Sequence, residues 1–523
     1  MIYLAAALSG ILSALSLPAS FDGWRFPESG WLAWVALVPL LLALQKTTSS
    51  KQSMRLGWVY GLAHYLITLY WVVIALHRYG EVSLLASVLA LLLLVFLMAA
   101  FPAAVCLAAS LLARRLPWTV VFPLTWTAFE FLRNYFPCGG YPWAGLAYSQ
   151  HSFLTLLQVL DVTGVYGLVF LIVMGNAVVA DCVVRGFRAQ THRKTSFAPT
   201  AGFILLFVAA VTYGHFRLTS VRKMFAGAPS LKVAVVQGNI PQEEKWLKEK
   251  IEEIIARHVA WTKKAAEAAP DLIFWPEAAF PAVLPPEVTG IAELKDLKTD
   301  LLMGVVRYDG VIPEIWPPKE GDSFRLYNSA VLLKPEGEIE DRYDKVHLVP
   351  IGEYIPFEGW LPFLHEIVDA MGTFTPGDGF RLLGLEGKRF GVTICYEDLF
   401  PEIARAFTRQ GADFLVNLTN DGWYNRSSVI FQHFDFSRFR AVETRLSMIR
   451  STNTGVTGLF SPTGEVLASL PPFEEGILEG SIPLKSRTWS PSFYTRYGDV
   501  FAWGCVLGSA LLGVIAVKKE RST

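Results

Sequence analysis

The sequence predicts a membrane-embedded α/β protein: an α-helical bundle of about eight transmembrane spans joined to an α/β domain with a mixed sheet. Three observations lead there. Hydrophobic residues make up 52% of the 523 residues and charged residues only 18%, apolar for a soluble chain. The excess sits in long apolar runs within residues 1–217, whereas 218–498 have the composition of an ordinary α/β protein. Within 218–498, strand and helix signals alternate first and hairpin signals follow. The formal net charge is zero, so there is no electrostatic footprint for nucleic acid. Five cysteines without paired spacing argue against a disulfide framework or a zinc site. No HExxH, P-loop, GxSxG or dinucleotide fingerprint is present.

The expected spans are Met1–Pro18, Trp31–Leu44, Leu56–Leu76, Val82–Leu112, Trp118–Leu132, Gly164–Val184, Ala201–Tyr213 and Phe501–Val517. Met1–Pro18 lacks the basic flank of a signal peptide and is read as a retained helix. Lys and Arg cluster in alternate loops: Lys46, Lys51 and Arg55; Arg114 and Arg115; Arg185, Arg188, Arg193 and Lys194; and Lys518, Lys519 and Arg521. The positive-inside rule then puts Met1 in the cytoplasm and residue 218 outside. A polar domain over 218–498 is expected on the outer face of the inner membrane, with a last span and tail over 499–523. The aromatic loop Asn134–Gln150 is read as interfacial anchoring, with a direct role in shaping a lipid entrance as the alternative. Glu130 and Arg133, one turn apart in a span, are either functional or a snorkelling pair.

The outer domain opens with a strand at Leu231–Gln237, then a helix over Gln242–Ala269 whose apolar face repeats at helical spacing. Strands follow at Asp271–Trp275 and Leu301–Val306, then a hairpin of Tyr327–Leu333 and Glu338–Tyr343 around Pro335-Glu336-Gly337. Arg389–Ile394 and Asp413–Leu418 are further strands, Phe431–Met448 a helix, and Gly455–Ala468 a second hairpin.

Three polar residues stand just after apolar strands: Glu277 in Trp275-Pro276-Glu277, Lys345 in Asp344-Lys345, and Cys395 in Cys395-Tyr396-Glu397. A carboxylate, an ammonium and a thiol are the parts of a cysteine acyl-transfer site. A free thiol with a pKa of roughly 8.5 is mostly protonated at neutral pH and needs a base or a nearby cation. Glu277 can supply the base, and Lys345 can lower the thiol pKa or hold a tetrahedral oxyanion. Singly, each would be an ordinary solvated or packing residue; together, at strand ends, they favour chemistry.

The order Trp-Pro-Glu, Asp-Lys, Cys-Tyr-Glu resembles the nitrilase superfamily. That resemblance implies an αββα sandwich with Glu277 as general base, Lys345 stabilising the intermediate and Cys395 as nucleophile. A nitrilase-like domain set between a helical bundle and a final span is similar, over essentially the whole chain, to the apolipoprotein N-acyltransferase family of bacterial envelopes. The local marks are Gln237–Trp246, Phe274–Pro281, Asp344–Phe357, Cys395–Pro401 and Asn417–Tyr424, with no departure at the triad positions.

The resemblance implies transfer of a fatty acyl chain from a phospholipid to the α-amino group of a lipoprotein's diacylglyceryl-cysteine. The route is ping-pong through a Cys395 thioester, with no metal or soluble cofactor. It carries over Glu353, Glu397, Tyr396 and Trp246 as supporting positions, with Asn420 and Trp423 at the rim. Each also has a plain packing reading. Partners are then the phospholipid donor, the apolipoprotein acceptor and membrane lipids; a monomer is the default.

Between lysine and cysteine, Ile355–Leu364 is rich in aromatics and prolines: either a packed loop or a lid that dips toward the bilayer. The alternative function is a membrane-anchored amidase of the same superfamily, which would need one anchor rather than a bundle. A transporter would show paired polar residues or broken helices at mid-membrane, of which there is little. Cys138 is the other cysteine expected on the outer face, and Cys395 is expected to be a free thiol.

Overall fold

Two units make up the chain in the computed structural model, which describes residues 1–21, 24–25, 28–136, 138–188, 197–311, 324–355 and 374–521. One comprises Met1–Val73, Ser83–Thr219 and Tyr497–Thr523; the other comprises Ile74–Val82 and Ser220–Arg496. The stretch Ile74–Val82 therefore packs with the second unit, although its neighbours in sequence belong to the first.

The first unit is helical. Leu84–Leu112, Val165–Gly186 and Ala198–Phe225 are long and apolar enough to cross a bilayer, and the bent pair Ser50–Thr68 with Trp71–Tyr79 qualifies together. By length and composition the described residues thus give three spans, or four with the bent pair, against the roughly eight expected. The other apolar helices are short: Ile2–Leu15, Gly30–Leu44, Leu154–Thr163 and Val500–Ile515. The expected span at 118–132 is a 16-residue helix, Trp118–Arg133, with Pro123 inside it. At 1.5 Å per residue such elements fall short of a hydrocarbon core about 30 Å thick. Small residues let helices approach closely here. A Cβ on Gly57 would stand 2.3 Å from the Pro102 carbonyl oxygen of the facing helix.

The Asn134–Gln150 loop is largely buried within the helical unit. Trp143 is 1% exposed, Leu146–Gln150 is a buried 3-10 turn, and the Gln150 amide donates to the Gly30 carbonyl while accepting from Trp34 Nε1. Tyr135 and Phe136 alone of its described aromatics stay well exposed. Glu130 and Arg133 likewise turn inward. Glu130 accepts from Trp126 Nε1 at 2.9 Å and Arg133 donates to the Tyr65 hydroxyl at 2.6 Å, so neither snorkels.

The second unit carries two sheets, with elements labelled here in chain order: β1 (Ser230–Gln237), α1 (Ile251–Ala266), β2 (Leu272–Phe274), β3 (Leu301–Asp309), β4 (Arg325–Leu333), β5 (Ile339–Asp344), β6 (Leu383–Leu385), β7 (Lys388–Ile394), α2 (Pro401–Gln410), β8 (Phe414–Thr419), α3 (Val429–Thr444), β9 (Met448–Thr452), β10 (Thr457–Phe460), β11 (Val466–Leu470) and β12 (Gly476–Pro483). One sheet runs β12-β1-β2-β3-β4-β5, with Val283–Leu284 added alongside β3; the other runs β11-β10-β9-β8-β7-β6. β1, β2 and β3 are mutually parallel, as are β7, β8 and β9, and hairpins complete both sheets. α1 packs on the first sheet and α2 and α3 on the second, while β4 meets β7 and β1 meets β9 between the sheets. This is the expected αββα layering.

Two expected helices are shorter than read from the sequence. Gln242–Ala269 is helical only from Ile251, after a 3-10 turn at Lys248–Lys250, because residues 241–247 fold as turns that send side chains into the site. Phe431–Met448 ends at Thr444, where Arg445 takes a left-handed φ of 59°, and Met448 instead starts β9, a strand the sequence reading missed.

Candidate active site

The parallel strands end together, and the polar residues lie just past their ends. β2 leads through Trp275 and Pro276 to Glu277, β5 leads to Lys345, and β7 leads to Cys395. The first corner is tight. Gly304 N donates to the Pro276 carbonyl at 3.1 Å, Ala279 N donates to the Gly304 carbonyl at 2.9 Å, and Ala278 takes a φ of 45°. A Cβ on Gly304 would fall 2.5 Å from the Glu277 Cα, so only glycine allows β3 to pass this corner.

Glu277, 8% exposed, accepts from Asn328 Nδ2 at 2.8 Å and from the Asn420 backbone N–H at 2.9 Å. The same Asn328 amide donates to Glu353 Oε1 at 3.0 Å, so one β4 side chain ties the two carboxylates together. Glu353 also accepts from Lys345 Nζ at 2.9 Å and from Val349 N at 2.8 Å. Lys345 is 1% exposed. Burial alone would lower its pKa, but the Glu353, Cys395 and Glu277 charges outweigh burial and hold it above the ordinary lysine value. It therefore stays an ammonium at any working pH.

Cys395 is a free, buried thiol with a left-handed φ of 50°, a conformation that costs a non-glycine residue energy and needs surroundings that enforce it. They are present. Its carbonyl accepts from Asn417 Nδ2 at 3.1 Å and lies 3.3 Å from His433 Nε2. His433 in turn bridges Asp421 through Nδ1 at 2.8 Å and Asp398 through Nε2 at 3.1 Å, and Arg450 donates to Asp398, Asp421 and Asn417. Burial and Arg450 pull the His433 pKa down, but Asp398 and Asp421 outweigh them and keep it raised, so the ring donates from both nitrogens. Burial pushes the Cys395 thiol up, Glu277 adds to that, and Lys345 opposes it.

Glu397, fully buried, accepts from the Tyr343 hydroxyl and from the backbone N–H groups of Val346, His347 and Ile394, all between 2.8 and 3.0 Å. It clamps the Lys345 loop to the end of β7. Burial raises its pKa to about 6 against the pull of those donors. Tyr396 is buried and its ring packs on His347 and Phe400. Asn420 is 3% exposed and donates to Gln242, while Trp423 is half-buried with its ring edge-on to Tyr79 at 6.1 Å. Trp246 is 44% exposed, in the turn between β1 and α1. Ile355 is the last described residue of the Ile355–Leu364 lid candidate; the remainder lies outside the described residues.

Sequence reasoning missed Asn328, Lys245, Gln242 and the set of Asp398, Asn417, Asp421, His433 and Arg450. Asn417 carries a signal, a polar residue inside the apolar run 414–418, whereas Asn328 and Arg450 stand beside further polar residues in their strands.

Comparison with known proteins gives the lineage of both units. Residues 9–178 match the family model for the apolipoprotein N-acyltransferase N-terminal domain, and residues 232–489 match that for carbon-nitrogen hydrolases. The chain is 39% identical over 528 aligned residues to an apolipoprotein N-acyltransferase of Geobacter metallireducens, covering 99% of this chain and 96% of the relative. This chain belongs to the apolipoprotein N-acyltransferase family. The Chlorobaculum tepidum member is 29% identical, covering 98% of this chain and 96% of the relative. Among solved structures, Saccharomyces cerevisiae Nit3 of the nitrilase superfamily is 18% identical with a TM-score of 0.36, covering 52% of this chain and 94% of that chain. As a family member the protein is an acyltransferase built on a carbon-nitrogen hydrolase domain.

Proposed function

We propose that the protein acylates the α-amino group of the diacylglyceryl-cysteine of apolipoproteins, taking the acyl chain from a membrane phospholipid. The observation that carries the mechanism is the left-handed, buried Cys395, whose sulfur lies under the direct influence of Glu277 and Lys345. Glu277 takes the thiol proton, the thiolate attacks the glycerol ester carbonyl, and the oxyanion is stabilised by the Lys345 ammonium. The ester C–O bond breaks, Glu277 returns the proton to the leaving alkoxide, and lysophospholipid departs. The acceptor amine then attacks the thioester and gives a proton to Glu277, the C–S bond breaks, and Glu277 passes that proton to the departing thiolate to restore the thiol.

Glu353 holds Lys345, Glu397 holds the nucleophile corner, Asn420 fixes Glu277 through its N–H, and Tyr396, Trp246 and Trp423 shape the approach of the acyl chain. The topology that suits this chemistry is the one read from the loop charges: about eight spans in the inner membrane, with the catalytic domain on the outer face. Phospholipid carrying a labelled acyl chain, incubated with purified protein and a diacylglyceryl-cysteine peptide, tests the reading. Label is expected on the peptide amine. Release of the label only as free fatty acid would mark a hydrolase and contradict the proposal.

A further inference from the structure

Lys245 is the one buried residue in a solvent-facing turn. It lies between β1 and α1, flanked by Glu244, Trp246 and Leu247, of which the last two are 44% and 47% exposed, yet Lys245 is 3% exposed. The turn is held so that it points inward. Asn239 N and Ile240 N donate to Asn453, Glu244 N donates to the Pro241 carbonyl, and the Gln242 amide oxygen accepts from Asn420. Lys245 Nζ donates to the Glu277 carbonyl at 3.0 Å. Removing an ammonium from water is costly unless charge and hydrogen bonds compensate, and a turn residue could stay in solvent at no expense. The compensation is the active site itself: the Glu277 carboxylate favours the Lys245 ammonium, and so does Cys395 once it is a thiolate.

The charge balance shows why a second cation belongs there. Lys345 is already paired with Glu353 at 2.9 Å. With Glu277 and Glu353 ionised and Cys395 a thiol, Lys345 alone leaves the site one negative charge in excess, and passing the thiol proton to Glu277 keeps that excess. With Lys245 the site is neutral before and after that transfer. Other charges around it do not replace it: Asp421 is engaged by Arg450 and His433, Glu397 by four donors, and His258 of α1, the further titratable group coupled to Lys245, is pushed down to about 4 by burial and is neutral.

We infer that Lys245 is a second cation of the active site, a positioning residue that fixes the Glu277 corner through its carbonyl and stabilises the negative charge formed on Cys395 during acyl transfer. The inference rests on the triad reading above. Burial lowers the Lys245 pKa to about 8, against the pull of Glu277 and Cys395, so its support is present below pH 8 and is lost as pH rises through that value.

The test is the rate of acyl-enzyme formation from phospholipid, read by mass at the Cys395 peptide of full-length protein between pH 6.5 and 9.5, with thermal unfolding checked on each sample. Lys245→Gln keeps an amide donor without the charge, Lys245→Met removes both, and Lys245→Arg keeps the charge. Gln and Met variants are expected to react about tenfold slower at pH 7, the effect of one unit in thiol pKa, and to lose the fall in rate near pH 8. Arg is expected to retain more rate than either. A Gln variant as fast as wild type while Met is slow would reduce Lys245 to a hydrogen-bond donor and overturn the charge role. Wild-type rates and pH profiles in both would overturn the inference outright. A wild-type protein with no adduct on Cys395 would instead remove the triad reading and this inference with it.

Discussion

Two buried glutamates stand at the ends of two sheets and are treated differently. Glu397 is saturated: a tyrosine hydroxyl and three backbone N–H groups fill its oxygens, and it joins the Lys345 loop to the β7 end. Glu277 has one donor on each oxygen, an amide and a backbone N–H, with Lys245 bound not to its carboxylate but to its carbonyl. The saturated carboxylate is fixed in place by its partners and acts as a clamp. The less saturated one keeps lone pairs with which to take and return a proton. Burial alone does not distinguish base from brace; the count and kind of donors does.

Breaking the two sides of that comparison should give different signatures. Glu277→Gln preserves shape and is expected to lower acyl-enzyme formation by about 10³-fold, at the middle of the range for a lost general base, with an unchanged melting midpoint. A loss of tenfold or less would move the base elsewhere. Glu397→Ala strands four buried donors and is expected to cost about 3 kcal/mol of stability, read by denaturant unfolding of the detergent-solubilised protein. Full stability in that variant would mean that the clamp holds nothing. Asn328→Leu removes the amide shared by Glu277 and Glu353 and is expected to slow the reaction between about 10-fold and 100-fold, as for other residues that orient functional carboxylates.

The smallest effect is on pH stability. Burial holds His347 and His258 near pKa 4, below the ordinary histidine value. At these two sites the folded state therefore binds fewer protons than the unfolded one between pH 6.5 and 4. Stability is full above 6.5 and is lost as pH falls toward 4, and His347→Phe should flatten part of that slope in melting midpoints taken across the range.

Much of this was legible in the sequence because catalytic residues of parallel sheets sit where apolar runs stop. Glu277 and Cys395 each follow such a run, Lys345 follows the charged edge strand β5, and the β-strands before all three were placed within a few residues. What could not be read is pairing between neighbouring strands of one sheet and the turns that follow them. Arg450 in β9 and Asn417 in β8 look like strand-breaking polar residues until Asp398 and Asp421 are seen opposite them. The same blindness turned the 431–448 segment into one helix and hid β9. Lys245 was concealed by an amphipathic pattern that read as a helix from Gln242, where the chain instead makes turns around a buried ammonium. In the helical unit, the apolar runs at 118–133 and 30–44 gave no sign that proline and 3-10 turns break them into helices shorter than a straight span of about 20 residues.

The central claim is that Cys395 carries the acyl chain. Intact mass of the protein after incubation with phospholipid, followed by peptide mapping, measures it directly. The account predicts one fatty acyl adduct on Cys395, absent from Cys395→Ala and discharged when a diacylglyceryl-cysteine peptide is added. No adduct in the wild type, or an equal adduct in Cys395→Ala, would contradict it.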